Sequence, residues 1–395
     1  MTPEPLLWLD SLQGSGIRPG LARMRALLRA LGNPQHACPS IIVAGTNGKG
    51  STSSTLASIL NASGYRTGLY TSPHLVELRE RWMIGGSMIS PAALSDAIGQ
   101  LRSAADRASI VPTYFEALTL LAFIAFAAAH CEVMVLEVGM GGRLDATNVV
   151  RPLAALITPI GFDHTEFLGT TIRQIAGEKA GVIHRGAIVL TTNEDPRVLD
   201  VLRRRASKFG CPFEVVTSTH ATPLAGAFQE RNAALAVRAA EELAPQLPQI
   251  THESIERGVV MTRWRGRLER IERDGKQIWI DGGHNAHAIA AIAPFIAERV
   301  PAPRLLVFGI MSDKDVADVT SALFPLFDSI IATEPYPPRS EAASRLVALA
   351  GTKGIAEPDP QRAIERGLAS AYKSIVIAGS LYLAGAAIEF FNRRE

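Results

Sequence analysis

Gly45-Thr-Asn-Gly-Lys-Gly-Ser-Thr-Ser53 stands between the apolar run 41–44 (Ile-Ile-Val-Ala) and the pattern Thr55-Leu-Ala-Ser-Ile-Leu60. The order is buried strand, glycine-rich turn, helix. Such a turn binds phosphate: glycines let backbone N–H groups converge on an anion, and the helix N-terminus adds partial positive charge. Lys49 reaches the terminal phosphates, and a hydroxyl can face Mg2+. The general phosphate-loop pattern wants a longer gap between its two glycines than Gly45 and Gly48 leave, and here Gly50 separates Lys49 from Ser51. The stretch is therefore a variant phosphate loop.

Working outward, 395 residues exceed one ordinary core and suit two domains. A hydrophobic content of 47% with 20% charged residues describes a well-packed chain rather than a disordered one. Forty Lys and Arg against 38 Asp and Glu leave a net charge of +2. That balance gives no global attraction for nucleic acid or an anionic membrane, so any anion site is local. Cys38, Cys131 and Cys211 are far apart and in no metal-type spacing, which suits reduced thiols in the cytoplasm. The first ten residues lack a basic segment and a cleavage site, so no secretory signal is expected. The apolar stretch 117–129 is too short to span a bilayer, and 374–391 is broken by Gly379-Ser380, Gly385 and Glu389. The first reads as a buried helix, the second as strand, turn and helix.

Apolar runs at 41–44, 133–138, 154–160, 187–191, 213–216, 278–280, 305–310, 330–333 and 375–378 alternate with helical patterns. Alternation of this kind predicts an α/β protein with mostly parallel sheets, helices on both faces and ligands at the carboxyl ends of strands. The rhythm breaks between Trp264 and Lys276, where the chain turns Arg-rich and polar. We therefore expect a phosphate-loop, ATP-binding domain over 1–268 and a smaller Rossmann-like α/β domain over 269–395.

Several polar clusters follow these runs. Glu137 lies near the end of the run 133–138, which precedes Gly139-Met-Gly-Gly-Arg143, so beside a phosphate loop it is a candidate Mg2+ ligand; alone it reads as a solvated strand end or helix partner. Asp163-His164 follows the run 154–160, with His164 a candidate metal ligand or acid/base and Asp163 its supporting partner. Ser72, in Thr71-Ser-Pro-His-Leu75, reads as a metal ligand or as a turn hydroxyl. Lys179 lies among small residues that admit close approach of another backbone, although the isolated pattern favours an exposed helix lysine. Asp281-Gly-Gly-His284-Asn285 opens a helix after the run 278–280. No Gly-x-Ser-x-Gly, His-Glu-x-x-His or cysteine cluster is present, which turns the reading from a protein nucleophile toward phosphoryl chemistry.

Taken together, the motifs resemble the folylpolyglutamate synthase and dihydrofolate synthase family, of the bacterial bifunctional type, relatives of the Mur ligases. The resemblance rests on Gly45-Thr-Asn-Gly-Lys-Gly-Ser51, Thr71-Ser-Pro-His-Leu75, Glu137-Val-Gly-Met-Gly-Gly-Arg-Leu-Asp-Ala-Thr-Asn148, Asp163-His-Thr-Glu-Phe-Leu-Gly169, Ala176-Gly-Glu-Lys-Ala-Gly-Val182 and Asp281-Gly-Gly-His-Asn285, in that order, with Gly379-Ser-Leu-Tyr-Leu383 near the end. It implies a cytoplasmic, ATP-dependent acid–amino-acid ligase of folate biosynthesis and one-carbon metabolism. Such an enzyme phosphorylates the carboxylate of dihydropteroate or tetrahydrofolate and transfers the acyl group to L-glutamate. By position, Gly45, Thr46, Asn47, Gly48, Lys49, Gly50, Ser51, Asn232, Arg267 and Asp281 correspond to ATP contacts, and Ser72, Glu137 and His164 to ligands of a pair of Mg2+ ions. Lys179 corresponds to a lysine that is carbamylated, and His284 to a residue tied to activity; Lys49, Lys179, His284 and Asp281 form the implied catalytic set. Thr113, Phe115, Glu116, Leu144, Asp145 and Ala146 correspond to the pterin site of the first domain, and the second domain to the glutamate side of the cleft. Two positions depart from the family pattern: Gly283 replaces a common alanine, and Arg18-Pro19 alters the loop 17–20, leaving its pterin contacts open. No nucleic-acid or membrane partner is implied, and the family is commonly monomeric.

Competing readings are another Mur-type ligase, a phosphate-loop NTPase or kinase, and a nucleotide-binding protein without catalysis. Only about 40 residues precede the first strand, too few for the substrate domain that Mur enzymes carry there. An NTPase leaves Lys179 and the 281–285 cluster without work, and the intact motif set speaks against a lost activity.

Overall fold

The computed structural model describes residues 4–16 and 18–393. These divide into two compact units. The first holds the chain to Pro73, then Arg79–Pro223 and Glu230–Arg263; the second holds His74–Leu78, Leu224–Gln229 and the chain from Trp264 onward.

In the first unit β1 (Ser40–Ala44), β2 (Thr67–Tyr70), β3 (Trp82–Ile84), β4 (Ser87–Met88), β5 (Val133–Glu137), β6 (Ala154–Ile157), β7 (Ile188–Thr191) and β8 (Phe213–Val215) form one sheet in the order β4-β3-β2-β5-β1-β6-β7-β8. The β2–β3 and β3–β4 pairs are antiparallel and the rest parallel. Strands β1, β5 and β6 are buried along their whole length, as near-continuous apolar runs covered on both faces must be. Because β1 lies between β5 and β6, with Val43 opposite Glu137 and Ala44 opposite Ile157, three strand ends deliver their loops to one edge. The runs read from sequence overshoot these ends. Val138 and Thr158 still donate to Val43 and Ala44, but they begin the loops that leave the sheet.

The apolar stretch 117–129 lies in helix Tyr114–Ala128 and its C-cap, opened by a reciprocal capping box between Thr113 and Glu116 and buried almost throughout. Among the described residues no helix is long and apolar enough to cross a membrane. Helix Lys49–Ala62 packs on helix His252–Met261 through small groups: the Ser58 hydroxyl donates to Gly258 O at 2.6 Å, and the Ser63 and Ser254 hydroxyls are 2.7 Å apart.

The second unit carries β9 (Glu269–Arg273), β10 (Lys276–Ile280), β11 (Arg304–Phe308), β12 (Ser329–Ala332), β13 (Gly354–Ala356) and β14 (Ser374–Ala378) in the order β13-β12-β11-β14-β10-β9. Only β9–β10 is antiparallel, and apolar clusters pack on the two faces of the sheet. The segment 374–391 is strand β14, a turn, and helix Leu381–Asn392, as read from the sequence.

Gly258 is where the phosphate-loop helix is packed most closely: a Cβ there would lie 2.4 Å from Ile59 Cα. Gly258→Ala is expected to lower the unfolding free energy in urea by about 1–3 kcal/mol, the usual cost of overpacking. An unchanged midpoint and slope would show that the two helices part without cost.

Candidate active site

The loop after β1 is stapled to the loop after β6. Thr46 N donates to Pro159 O at 2.9 Å, and the Thr46 hydroxyl both donates to Gly161 O at 3.0 Å and accepts from Gly161 N at 3.1 Å. At the cap of helix Lys49–Ala62, Gly48 has φ +87°, and a Cβ there would lie 2.4 Å from Asn232 Oδ1. A residue other than glycine is strained at that φ and displaces Asn232. The result is a helix N-terminus with converging N–H groups, the geometry that receives phosphate. Gly50 and Ser51 are buried in its first turn.

Two lysines hold the loop's own carbonyls. Lys49 Nζ donates to Thr46 O at 3.0 Å and Lys179 Nζ to Gly45 O at 2.7 Å. Lys179, the last residue of helix Ile172–Lys179, is only 4% exposed, which corrects the exposed-lysine reading of the isolated pattern. Small neighbours are what permit this burial: a Cβ on Gly181 would lie 2.4 Å from Arg143 Cα. Burial lowers the Lys179 pKa to about 7, with the Lys49 charge acting the same way and Asp163 and Asp145 opposing it.

Glu137 is buried at the end of β5, and its Oε2 accepts from Ser72 N at 3.0 Å. Ser72 and His164 line one cavity of about 460 Å3. The His164 ring is 40% exposed, and its backbone N donates to Asp163 Oδ1 at 2.9 Å. A hydroxyl, a carboxylate and an imidazole make a donor set suited to a divalent cation that keeps part of its water shell. Among the described residues there is no cluster of three or more His, Cys, Asp or Glu poised for a metal.

The same cavity is lined by Thr113, Phe115, Glu116, Leu144, Asp145 and Ala146, the residues read as the pterin site, together with Arg18, Pro19 and Gly20 of the N-terminal loop; Ile17 lies outside the described residues. Its glycine-rich wall, Gly139 to Gly142, rests against the Phe115 ring, which a Cβ on Gly139 would meet at 2.2 Å.

Two of the acids are occupied by the protein itself. Asp145 Oδ2 accepts from Gly139 N and Met140 N at 3.1 and 3.0 Å, and Oδ1 from Thr147 N and Oγ1 at 2.9 and 2.6 Å. This carboxylate organises the glycine-rich wall. Glu116 accepts from Thr113 N at 2.8 Å and pairs with Arg23 through both oxygens, 3.1 Å to Nε and 3.0 Å to Nη2. Arg23 Nη2 also donates to Arg18 O at 2.5 Å, so Glu116 ties the N-terminal loop to the cavity wall. Sequence reading missed Arg23, because nothing local in Gly20-Leu-Ala-Arg23 marks a partner 93 positions away.

In the second unit, Asp281 is buried after β10, accepting from Leu268 N at 2.9 Å and Gly283 N at 2.7 Å. Burial raises its pKa and the Arg267 charge opposes this. Arg267 Nη1 donates to Gly266 O at 2.9 Å, and His284 Nδ1 lies 2.8 Å from Gly282 O, which requires the proton on Nδ1.

A phosphate-loop sheet with the half-buried Lys49 and the buried Lys179 on the loop's carbonyls, in a chain that also carries an α/β unit with an Asp-Gly-Gly-His turn, has the parts of a Mur-type ligase. The Mur ligase middle-domain model matches residues 43–232, and the model for the Mur ligase glutamate ligase domain matches residues 266–381. The dihydrofolate synthase/folylpolyglutamate synthase of Bacillus subtilis is 32% identical over 411 residues, spanning 95% of this chain and 95% of that protein. Among solved structures, Escherichia coli FolC in complex with DHPP and ADP superposes with a TM-score of 0.89 at 29% identity, covering 100% of this chain and 99% of its own. The bifunctional folylpolyglutamate synthase/dihydrofolate synthase of Yersinia pestis, complexed with AMPPNP and Mn ion, superposes with a TM-score of 0.87 at 28% identity over 99% and 100%. The chain belongs to the folylpolyglutamate synthase and dihydrofolate synthase family, within the Mur ligases, and is an amide-bond-forming ligase.

Because Glu116 is buried, removing its cationic partner leaves a costly carboxylate behind. Arg23→Ala is expected to destabilise the protein by about 1–3 kcal/mol in urea unfolding, with part of the loss recovered in Arg23→Ala/Glu116→Gln. Strict additivity of the two single changes would show that the pair does not couple.

Proposed function

We infer that this enzyme uses ATP to join L-glutamate to folates. Dihydropteroate is the acceptor that yields dihydrofolate, and tetrahydrofolate with its glutamate tail is the acceptor in chain extension. The observation that carries the reading is the phosphate loop with Lys49 and Lys179 on its carbonyls, in the same unit as a cavity lined by Ser72, His164 and the pterin-type residues. The family supplies the rest: a relative's structure holds DHPP with ADP, and another holds AMPPNP with Mn ion.

A free carboxylate is a poor acyl donor, so one of its oxygens first attacks the γ-phosphorus of ATP, the bond to the β-phosphate oxygen breaks, and acyl phosphate and ADP result. The amine of glutamate then attacks the acyl carbon, loses a proton, and inorganic phosphate leaves with the C–O bond. The loop Gly45 to Ser51 holds the phosphates, with the N–H groups of the helix N-terminus and Lys49 offsetting their repulsion toward the incoming carboxylate. Asn232, Arg267 and Asp281 contact the nucleotide. Ser72, Glu137 and His164 hold magnesium, which when bound neutralises phosphate charge. His284, oriented by the contact of its Nδ1 with Gly282 O, serves as the base that takes a proton from the glutamate ammonium. The domain 1–268 serves ATP and pterin, and 269–395 serves glutamate. The three free thiols suit a reducing cytoplasm, and a monomer suffices for this division of labour.

Lys179 is carbamylated in the working enzyme. Its neutral amine attacks CO2 and releases a proton, turning a cation beside the loop into an anion. An amine with a pKa of about 7 is well placed for this: below that pH it is protonated and inert toward CO2, and above it the neutral form predominates.

Purified enzyme with ATP, Mg2+, dihydropteroate and glutamate is expected to release one ADP for each dihydrofolate formed, and exchanging dihydropteroate for tetrahydrofolate tests chain extension. ATP turnover that ignores pterin and glutamate would overturn the ligase reading in favour of an NTPase. Enzyme depleted of CO2 is expected to lose activity and regain it on adding CO2, faster as pH rises through 7 when dissolved CO2 is held constant. Lys179→Ala is expected to fall by at least about 10- to 100-fold and to recover partly with short carboxylates; full activity in this variant would remove the carbamate.

A further inference from the structure

Asn193 stands just past β7 in Thr191-Thr-Asn-Glu194, a stretch that carries no motif, and only 4% of it is exposed. The ladder between β6 and β7 ends where Ile157 meets Thr191. Beyond that point the Asn193 side chain takes over. Its Nδ2 donates to Thr191 Oγ1 at 2.7 Å, Thr158 O at 3.0 Å and Ile157 O at 3.3 Å, and its Oδ1 accepts from Ile160 N at 2.8 Å. Carbonyls at one end and an N–H at the other fix which way round the amide lies. Thr191 braces it further, its hydroxyl accepting from Asn193 N at 3.1 Å and donating to Ile157 O at 2.7 Å.

The loop after β6 is thereby held in alternation from two sides. Thr158 O and Ile160 N go to Asn193, whereas Pro159 O and the backbone N–H and carbonyl of Gly161 go to Thr46 of the phosphate loop. Thr158 also presses on the start of that loop: its N donates to Ala44 O at 2.8 Å, and a Cβ on Gly45 would lie 1.8 Å from its Oγ1. The segment 158–161 is therefore a spacer between Asn193 and the phosphate loop, and three residues further on it delivers His164. Thr158 and Ile160 are buried, so their backbone groups have no water to turn to if the amide is lost. Pro159 has no N–H with which to continue the ladder. Among side chains of this shape only an amide offers donor and acceptor together; Asp lacks the donor and Leu lacks both.

Resting on the ATP-dependent ligase reading, we propose that Asn193 is a positioning residue for the nucleotide. It sets the place of the spacer 158–161 and, through Thr46 and Thr158, the place of the phosphate loop. It acts from within the protein, not by touching substrate. A displacement of about 1 Å at reacting groups is enough to cost about 100-fold, so a spacer freed from one side is felt at the phosphates.

The test measures ADP affinity in Mg2+ by calorimetry and the Michaelis constants of the intact enzyme. In Asn193→Ala and in the nearly isosteric Asn193→Asp, ADP is expected to bind about 10- to 100-fold more weakly, with KM for ATP rising alongside, while KM for glutamate stays within about 3-fold. Far-UV circular dichroism checks folding at the assay temperature. A folded variant with lowered stability in urea but ADP affinity within about 3-fold of wild type overturns the proposal, leaving Asn193 a join between two strand ends. A fall in kcat alone, with both Michaelis constants unchanged, reports loss of active molecules and overturns it as well. Should neither variant fold, Thr191→Val removes the brace and keeps the amide, with ADP expected about 3- to 10-fold weaker; unchanged affinity there overturns the proposal. A wild-type protein that binds no ADP refutes the functional reading itself, whereas wild type and variants that bind ADP alike refute only the role of Asn193.

Discussion

A phosphate-binding turn needs its N–H groups pointed at an anion, and its own carbonyls must then be satisfied elsewhere. In this protein that constraint is met by Lys49 on Thr46 O, Lys179 on Gly45 O, and the Thr46 staple to Pro159 and Gly161. Everything else in the first unit is arranged around these bonds. They need β1 between β5 and β6, so that the loops carrying Glu137 and His164 arrive at the same edge. They also need the end of helix Ile172–Lys179 pressed against the glycine-rich wall, where Arg143 N donates to Glu178 O at 2.8 Å.

Burial is what gives Lys179 its chemistry. An exposed lysine stays a cation at neutral pH, whereas one held in the core beside a second lysine is driven toward the neutral amine. The same bond that completes the turn therefore sets up the proposed carbamate. Around the cavity the logic is complementary: Asp145 accepts from the glycine-rich wall, and Glu116 accepts from Thr113 N and pairs with Arg23. Acids paired within the protein give the cavity its shape.

How much was legible in the chain follows from the range of each interaction. The strands were readable because a buried parallel strand is a continuous apolar run, and the loop because strand, glycines and helix are adjacent in sequence. Glu137, His164 and Ser72 could be picked out because each sits just past such a run. The Arg23–Glu116 pair spans 93 positions and the Lys179–Gly45 bond spans 134, and neither has a local signature.

Sequence alone determined the α/β alternation, the variant phosphate loop and the family, since each rests on local order or on motifs in series. Tertiary structure decided which charges face the cavity and which are spent inside the protein. It turned Lys179 from a surface lysine into a buried amine and brought out the Arg23–Glu116 pair. The physical reason is that desolvation and pairing depend on what surrounds a side chain in space, and those neighbours come from strands and helices far apart along the chain.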